Sequence, residues 1–197
     1  PAGVETIGRF AFTMCTSLNS VKVDSRNEFY ADREGLLYTS DLRRLIHVPQ
    51  HKDLDDLVLP ETLVSLGDGA FMSCASLGEI NMPPTVTAIG HAAFAECSSL
   101  VSVSLPQEIK IVHGDTFRGC EKLTTIQLPD TLEHIGDNAF YACHELASLR
   151  LPAGLTTLGE YAFADCFKLT SLRLPSGVIQ IGDYAFYNTI QLESLGI

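Results

Sequence analysis

The apolar positions of this chain return with a fixed period of 23 residues. A phenylalanine occupies one position of every regular repeat, and Phe12 holds the same place in an earlier, separated copy. The regular series is Phe71, Phe94, Phe117, Phe140, Phe163 and Phe186. A constant period of this length is typical of stacked-repeat proteins, in which each repeat contacts its neighbours. The pattern therefore predicts a repeat solenoid rather than a single globular core.

The period divides the chain into seven regular units and one irregular unit. Seven units of 23 residues and one of 36 residues, at 24–59, account for all 197 residues. The regular units are 1–23, 60–82, 83–105, 106–128, 129–151, 152–174 and 175–197. Because no residues remain for a linker or a second body, we predict one repeat domain over 1–197.

Each regular unit contains two extended pieces and one turn. In the unit that begins at residue 83, Leu100, Val103 and Leu105 alternate with polar residues, which predicts a short strand. The proline that opens the next unit has no N–H group to donate and ends that strand. Val86 and Ile89 predict a second extended piece, and the Ala-Phe-x-x-Cys segment fits a single helical or 3-10 turn. We therefore expect a β-rich, curved stack of coils with a parallel sheet on its concave face.

Six cysteines occupy one phase of the repeat, three residues after the phenylalanine. They are Cys15, Cys74, Cys97, Cys120, Cys143 and Cys166, and the last unit has Thr189 at this position. Because threonine can take the place, we predict a small, buried, weakly polar group near a tight turn. Equivalent side chains that point the same way make poor disulfide geometry, so we expect free thiols.

The chain is acidic, with a formal net charge of −11, and residues 60–197 hold 15 acidic against 6 basic residues. This balance disfavours a nucleic-acid backbone or an anionic membrane as the partner. No apolar run approaches the ~18 residues that a membrane-spanning segment needs, so we expect no membrane insertion. The acidity otherwise keeps a long solenoid soluble.

The sequence offers no recognisable catalytic or metal-binding motif. It contains no phosphate-binding loop, nucleophile elbow, Cys-x-x-Cys pair or zinc-binding helix. The cysteines are phase-equivalent, whereas a nucleophile needs a unique environment with a base. His47, His51, Asp53, Asp55 and Asp56 resemble metal ligands, but a proline separates the two histidines outside any helix. We predict no enzymatic activity, no cofactor and no metal.

One unit shows the full repeat pattern Ile-Gly-x-x-Ala-Phe-x-x-Cys-x-x-Leu-x-x-Leu-x-Leu-Pro. Its residues are Ile135, Gly136, Ala139, Phe140, Cys143, Leu146, Leu149, Leu151 and Pro152. This pattern resembles the BspA-like leucine-rich repeat, also called the TpLRR class. The resemblance covers the whole chain and recurs seven times.

Segment 24–59 resembles the irregular unit of the same family. That unit runs Asn-x-x-Tyr, then Asp-Gly-Val-Leu-Tyr, then a Leu-Ile strand and a proline. The corresponding residues here are Asn27, Tyr30, Glu34 to Tyr38, Leu45, Ile46 and Pro49, with Glu34 in place of the usual aspartate. We predict a hairpin of residues 36–38 and 42–48 that turns near 39–41, after which Leu54, Leu57 and Leu59 rejoin the strand phase.

Departures from the repeat pattern are local. His113 replaces the turn glycine and Thr116 replaces the alanine before Phe117, which predicts a distorted turn in that unit. Thr189 and Gly196 make the last unit atypical. Neither end has a dedicated cap, so we expect that the natural chain extends further or that the ends self-associate. The chain starts in repeat phase without a signal peptide, which suggests a fragment or a mature form.

The resemblance implies a non-enzymatic protein–protein interaction module that is surface-exposed or secreted. Members of the family are associated with adhesion to host cells, matrix proteins or other microbes. The residues themselves leave a periplasmic or cytoplasmic location open. Two alternatives remain: a structural scaffold that forms homo-oligomers through its uncapped ends, and a regulatory repeat arm of a larger enzyme.

The candidate binding residues are polar and flank the central apolar residue of each predicted strand, because the sheet of a solenoid is its usual binding face. On the concave face they are Lys22, Asp56, Glu79, Asn81, Ser102, Ser104, Thr125, Gln127, Ser148, Arg150, Ser171 and Arg173. Arg150 and Arg173 lie one rung apart and are suited to bind a carboxylate or sulfate of a partner. The alternative interpretation is two solvated arginines that help solubility.

The predicted hairpin offers a second candidate surface. Arg33, Arg43, Arg44, Tyr30 and Tyr38 are residue types that often anchor interfaces. The alternative is that the hairpin is a structural variant of the repeat whose aromatic side chains pack inward, since Leu and Tyr at a period of two fit a half-buried strand.

Overall fold

The computed structural model describes residues 1–196 as a stack of coils, and these residues contain fourteen short strands. The strands are β1 (Tyr30–Arg33), β2 (Leu36–Thr39), β3 (Arg44–His47), β4 (Ser65–Leu66), β5 (Glu79–Ile80), β6 (Ala88–Ile89), β7 (Ser102–Ser104), β8 (Ile111–Val112), β9 (Thr125–Gln127), β10 (His134–Ile135), β11 (Thr157–Leu158), β12 (Ser171–Arg173), β13 (Gln180–Ile181) and β14 (Ser194–Gly196). The predicted repeat solenoid is confirmed, because equivalent residues of successive coils lie beside one another.

The Leu-x-x-Val-x-Leu segments form parallel strands, as predicted, and we call their assembly the leucine sheet. It consists of β5, β7 and β9 in one piece and β12 and β14 in another. Partners stand 23 residues apart, so Val103 pairs with both Ile80 and Ile126. This register places the same position of every coil in one column on the sheet.

The Val-x-x-Ile segments form a second parallel assembly, which we call the glycine sheet because a glycine follows most of its strands. One piece joins β4 and β6 to the irregular unit through β3, and the other runs through β8, β10, β11 and β13. The predicted second extended piece is thus confirmed. The core lies between these segments and the phenylalanine turns as one continuous apolar cluster.

The phenylalanines stack in file along this core. Ring centroids of neighbouring phenylalanines from residue 71 to 186 lie 5.2, 5.4, 5.5, 5.2 and 5.9 Å apart, and their planes deviate by at most 10°. All of these rings except Phe186 are fully buried. Stacked aromatic pairs contribute about 0.5–1.5 kcal/mol beyond their burial, so the column binds each coil to the next.

Around each phenylalanine the chain makes consecutive single turns, as predicted, and not a helix. In one coil the Ala95 N–H donates to the Ala92 carbonyl and the Cys97 N–H to the Phe94 carbonyl, each at 3.1 Å. Ala92 and Glu96 have left-handed φ values of 52° and 60°, and equivalent residues of the other coils do the same. These residues stop a helix and direct the N–H groups of positions 92, 94 and 96 to carbonyls of the next coil, at 2.7–3.0 Å.

The cysteine position holds a small, buried, weakly polar group, as its phase in the repeat predicts. The thiols of Cys97 and Cys120 donate to the carbonyls of Phe71 and Phe94, each at 3.1 Å, and later coils repeat the bond. Thr189 makes the same bond through its hydroxyl, to the Phe163 carbonyl at 3.1 Å. All six cysteines are free, and those from residue 74 onward are buried.

The glycine sheet divides at His113, but the predicted distortion of the turn is not seen: the Thr116 N–H donates to the His113 carbonyl at 3.3 Å, as the Ala139 N–H does to the Gly136 carbonyl. A Cβ on Gly90, in the same column, would lie 2.6 Å from the Asp68 backbone nitrogen, so the coils are too close there for a side chain. His113 carries a Cβ, and in the described residues no strand pairing joins Ile89 to Val112. The larger residue therefore interrupts the strand pairing, while the two coils stay joined by bonds such as that from the Ala92 N–H to the Gly114 carbonyl at 3.0 Å.

The irregular unit adds an antiparallel meander to the glycine sheet. The predicted hairpin is confirmed as β2 and β3, and β1, which the sequence did not predict, pairs antiparallel with β2. β3 then pairs parallel with β4. Tyr38 is only 1% exposed, so its ring packs into the core.

The first coil deviates from the regular stack. Phe12 stacks on His47, with ring centroids 4.9 Å apart, rather than on another phenylalanine. The reason is the 13 extra residues of unit 24–59, which lie between residues 1–23 and the regular coils. As a result Cys15 is exposed, unlike the other five cysteines.

Candidate functional site

A groove of about 1280 Å³ runs along the leucine sheet of the last four coils. It is lined by Thr125, Ile126, Gln127, Ser148, Leu149, Arg150, Leu151, Ala153, Ser171, Arg173, Leu174, Pro175, Ser176 and Gly196. The sheet places one polar side chain on each side of a central apolar residue in every coil. Ile126 and Leu172 point into the core, so the groove carries two rows of polar groups with the partly exposed Leu149 as its apolar floor.

The structure brings six of the predicted binding residues together in this groove. They are Thr125, Gln127, Ser148, Arg150, Ser171 and Arg173. Ser102 and Ser104 lie on the adjacent strand β7, and the Ser104 hydroxyl donates to Gln127 Oε1 at 3.2 Å. Glu79 and Asn81 are exposed one coil further away, at β5 and just after it.

Lys22 and Asp56 are not part of the leucine sheet. Lys22 lies in the first coil. The N–H of the preceding residue, Val21, donates to the Gly35 carbonyl of the irregular unit. Asp56 lies in a turn closed by the bond from the Leu57 N–H to the Leu54 carbonyl. Neither residue belongs to a paired strand, and their place on the concave face stays a prediction.

The leucine sheet is interrupted at the groove, a feature that the sequence did not predict. Residues 146–151 were predicted to form a strand like the others. Instead, only Ser148 pairs, with Ser171, and among the described residues no backbone hydrogen bond joins 147–151 to β9. A central leucine does not explain the break, because β12 and β14 form regular strands with Leu172 and Leu195 at their centres.

The break leaves main-chain groups of the groove without partners. In an intact part of the sheet, the Leu105 N–H donates to the Gln127 carbonyl at 3.0 Å. The N–H groups of Arg150 and Leu151, the latter in the position equivalent to Leu105, have no backbone partner among the described residues. Such groups are available to a ligand as hydrogen-bond donors, as at the edge of a sheet.

The break also changes the apolar floor of the groove. Leu149 is partly exposed, while Ile126 and Leu172 on either side are buried. The groove therefore offers apolar contact and main-chain hydrogen bonding in one place.

The only charged residues among those that line the groove are Arg150 and Arg173. Both are exposed, and neither forms an ion pair with any residue in the described part of the chain. Arg150 also lines a smaller pocket of about 310 Å³ beside Gln127 and Asp130. The groove is thus a local positive patch in an acidic protein.

The two tyrosines predicted as anchors of the hairpin surface are engaged within the protein. Burial raises the pKa of Tyr38 to about 12 and keeps its hydroxyl protonated. The Tyr30 hydroxyl accepts the Ile7 N–H at 2.9 Å and donates to the Glu5 carbonyl at 3.3 Å. The two tyrosines therefore serve packing, which supports the alternative interpretation of this unit, and Arg33, Arg43 and Arg44 remain exposed without them.

The buried cysteines are unsuited to nucleophilic or metal chemistry. Burial raises the pKa of the Cys74, Cys120 and Cys166 thiols to about 12, so they stay protonated. Within residues 1–196, no group of three or more His, Cys, Asp or Glu side chains converges as a metal site would require. The same residues contain no helix that is long and apolar enough to cross a membrane.

Comparison with known sequences identifies the repeat. The family profile described as BspA type leucine rich repeat region matches in six copies, over residues 1–34, 49–114 and 88–197. No curated protein matches the chain.

Several bacterial proteins of known structure share the fold. A leucine-rich repeat protein from Eubacterium ventriosum has a TM-score of 0.74 and 24% identity, over 94% of this chain and 55% of that one. The pneumococcal vaccine antigen PcpA has a TM-score of 0.70 and 22% identity, over 99% of this chain and 43% of that one. TpLRR from T. pallidum has a TM-score of 0.68 and 28% identity, over 89% and 82% respectively. The chain spans about half the length of the first two proteins.

Proposed function

Because the chain belongs to the family of BspA type leucine rich repeat proteins, we propose that it is a non-enzymatic adhesin-like module that binds another protein through its leucine sheet. Repeat solenoids present extended surfaces of this kind to protein partners. The observation that carries the proposal is the groove, where six exposed polar side chains from three coils surround a partly exposed apolar floor.

The proposal places the protein at a cell surface or in the extracellular space, with a matrix or cell-surface protein of a host as its partner. Two findings support this: the repeat belongs to the BspA type, and one protein with the same fold is a vaccine antigen. The acidic charge of −11 also favours a protein partner over nucleic acid or an anionic membrane.

The test measures binding of the full chain to a panel of purified matrix and cell-surface proteins by surface plasmon resonance. Ser171→Trp fills the centre of the groove, and Thr87→Trp adds the same ring to an exposed position beside the glycine sheet. We expect at least one protein to bind the natural chain and the Thr87→Trp variant alike. Its affinity for Ser171→Trp should fall at least about tenfold, which corresponds to 1.4 kcal/mol.

Equal binding of that protein to all three chains would exclude the groove as its site. Binding of no protein on a broad panel would count against the adhesin-like role. Circular dichroism of both tryptophan variants checks that the fold is intact, so that a loss can be assigned to the groove.

A second candidate function is a scaffold that associates through the ends of the stack. Light scattering over a range of concentrations tests this candidate directly. A mass that stays that of one chain at high concentration would contradict it.

A further inference from the structure

The charge and shape of the groove indicate the chemistry of its partner, an inference that rests on the proposed function. We propose that the groove binds an extended acidic segment of a protein partner, whose carboxylates pair with Arg150 and Arg173. Four features of the structure lead to this inference: the charge of the groove, the cost of covering it, the spacing of its arginines and the break in the sheet.

The charge of the groove is opposite to that of the whole chain. Among its fourteen lining residues, two are arginines and none is acidic. The protein as a whole has 24 acidic and 13 basic residues. A partner attracted to this groove is therefore selected by two positive charges that the protein does not neutralise itself.

The cost of covering the groove depends on the partner's charge. A neutral or basic partner would take two guanidinium groups out of water without supplying any counter-charge, which is strongly unfavourable. A carboxylate restores that interaction, because the planar guanidinium matches it with two parallel hydrogen bonds. Any protein that seats on this groove therefore gains most when it presents acidic side chains there.

The spacing of the two arginines fits an extended peptide that runs along the stack. Arg150 and Arg173 occupy equivalent positions of neighbouring coils, and adjacent strands of a sheet lie about 4.8 Å apart. In an extended peptide, alternate side chains point the same way and stand roughly 6.5 Å apart. Arginine side chains are long and flexible enough to bridge this small difference.

The break in the leucine sheet supplies the remaining contacts. The backbone N–H groups of Arg150 and Leu151 are unpaired among the described residues, beside the partly exposed Leu149. The hydroxyls of Ser148 and Ser171 lie on the opposite side of the apolar column from the arginines. An extended segment can bond to these groups while its side chains alternate between the floor and the arginines.

A sulfated polysaccharide fits these features of the groove less well. Two arginines neutralise few of its closely spaced charges, and the net charge of −11 on the protein repels a long polyanion. A short acidic segment of a protein needs only the local patch. Binding of heparin is therefore an outcome of the test that would overturn the proposal.

The experiment measures fluorescence anisotropy of a labelled nine-residue peptide of alternating Glu and Thr with the full chain. A peptide with Gln in place of every Glu is the neutral probe, and low-molecular-weight heparin is the sulfated probe. The variant Arg150→Gln/Arg173→Gln removes the two groove charges. The control Lys110→Gln/Lys122→Gln removes two exposed charges of one coil outside the groove.

We expect the acidic peptide to bind at least about tenfold more tightly than the neutral one, and the double arginine variant to lose about tenfold in affinity. The lysine variant should bind as the natural chain does. Raising the salt from about 50 to about 300 mM should weaken binding of the acidic peptide, because it screens exposed charges. Equal binding of the two peptides, no binding of either, an unchanged Kd in the arginine variant, or tighter arginine-dependent binding of heparin would overturn the proposal.

The outcome can be separated from that of the proposed function. If Ser171→Trp abolishes binding of a protein from the panel while Arg150→Gln/Arg173→Gln does not, the groove is the binding site and the proposal of an acidic segment is wrong. If neither variant affects that binding, the proposal that the groove is the binding site is wrong.

Discussion

The side chain three residues after the phenylalanine shows how the coil selects its residues. It must fit a buried place and donate a hydrogen bond to a carbonyl of the preceding coil. The Cys143 thiol does so to Phe117 at 3.3 Å, and Thr189 does so through its hydroxyl to Phe163 at 3.1 Å. Shape and one donor, rather than thiol reactivity, explain the cysteines. The sequence predicts this role because the exception, threonine, stands in the same phase.

A pair of substitutions at Cys143 separates the donor from the shape. Threonine and valine have the same shape, but only threonine can donate. We expect Cys143→Thr to exceed Cys143→Val in free energy of unfolding by about 1 kcal/mol, the usual net contribution of one hydrogen bond. Urea denaturation measures both variants, and equal values would show that the carbonyl needs no donor here.

His47 makes stability depend on pH. Its ring is buried against Phe12, its Nε2 has no partner among the described residues, and burial lowers its pKa below the ordinary value of 6.5. The unfolded chain therefore takes up a proton at a higher pH than the folded chain does. The contribution of His47 to the free energy of unfolding is constant above about pH 7 and falls as the pH drops through the ordinary histidine value.

Thermal unfolding between pH 8 and pH 5 tests this dependence. His47→Phe keeps a ring against Phe12 and removes the titration, so the fall in melting temperature on acidification should be smaller than in the natural chain. His113, whose pKa is also lowered by burial, remains in the variant and accounts for part of the slope that persists. An identical slope in both proteins would show that His47 is not responsible.

The glycine column decides how closely neighbouring strands approach. There is no space for a Cβ atom at Gly90. His113, at the equivalent position of the next coil, carries a Cβ atom, and the sheet is interrupted there. The sequence singled out His113 but predicted a distorted turn, whereas the turn is regular and the strand pairing is lost. It could not predict the break at 147–151, since Leu149 is an ordinary residue of the repeat and Leu172 and Leu195 hold the same position in β12 and β14.

Alanine at two places of the glycine column should have different effects. Gly90→Ala forces a Cβ against the Asp68 backbone at 2.6 Å, and we expect it to lower the free energy of unfolding by about 1–3 kcal/mol, as overpacking does. His113→Ala is the matched control, where a Cβ is already accommodated, and should cost less than about 1 kcal/mol. Chemical denaturation measures both variants. Equal losses would contradict the steric explanation of the divided sheet.

At the scale of the molecule, the repeat produces one continuous core. Departures from the repeat, such as unit 24–59 and the break at 147–151, give parts of the surface their individual shape. The period of 23 residues was sufficient to predict the solenoid and its coils. The pattern did not show that Lys22 and Asp56 lie outside the paired strands, because unit 24–59 departs from the period. The groove exists where the leucine sheet is interrupted, and that interruption depends on small differences in packing that a sequence motif does not contain.

Residue-resolved amide hydrogen exchange on the full chain tests this account most directly. The N–H groups of Phe94, Phe117 and Phe140 each donate to the next coil, so we predict slow and similar exchange for all three. The N–H group of Leu151 should exchange much faster than that of the equivalent Leu105, and should slow when the acidic peptide is bound. Fast exchange at the three phenylalanines would contradict the stacked coils, and protection of Leu151 equal to that of Leu105 would contradict the open groove.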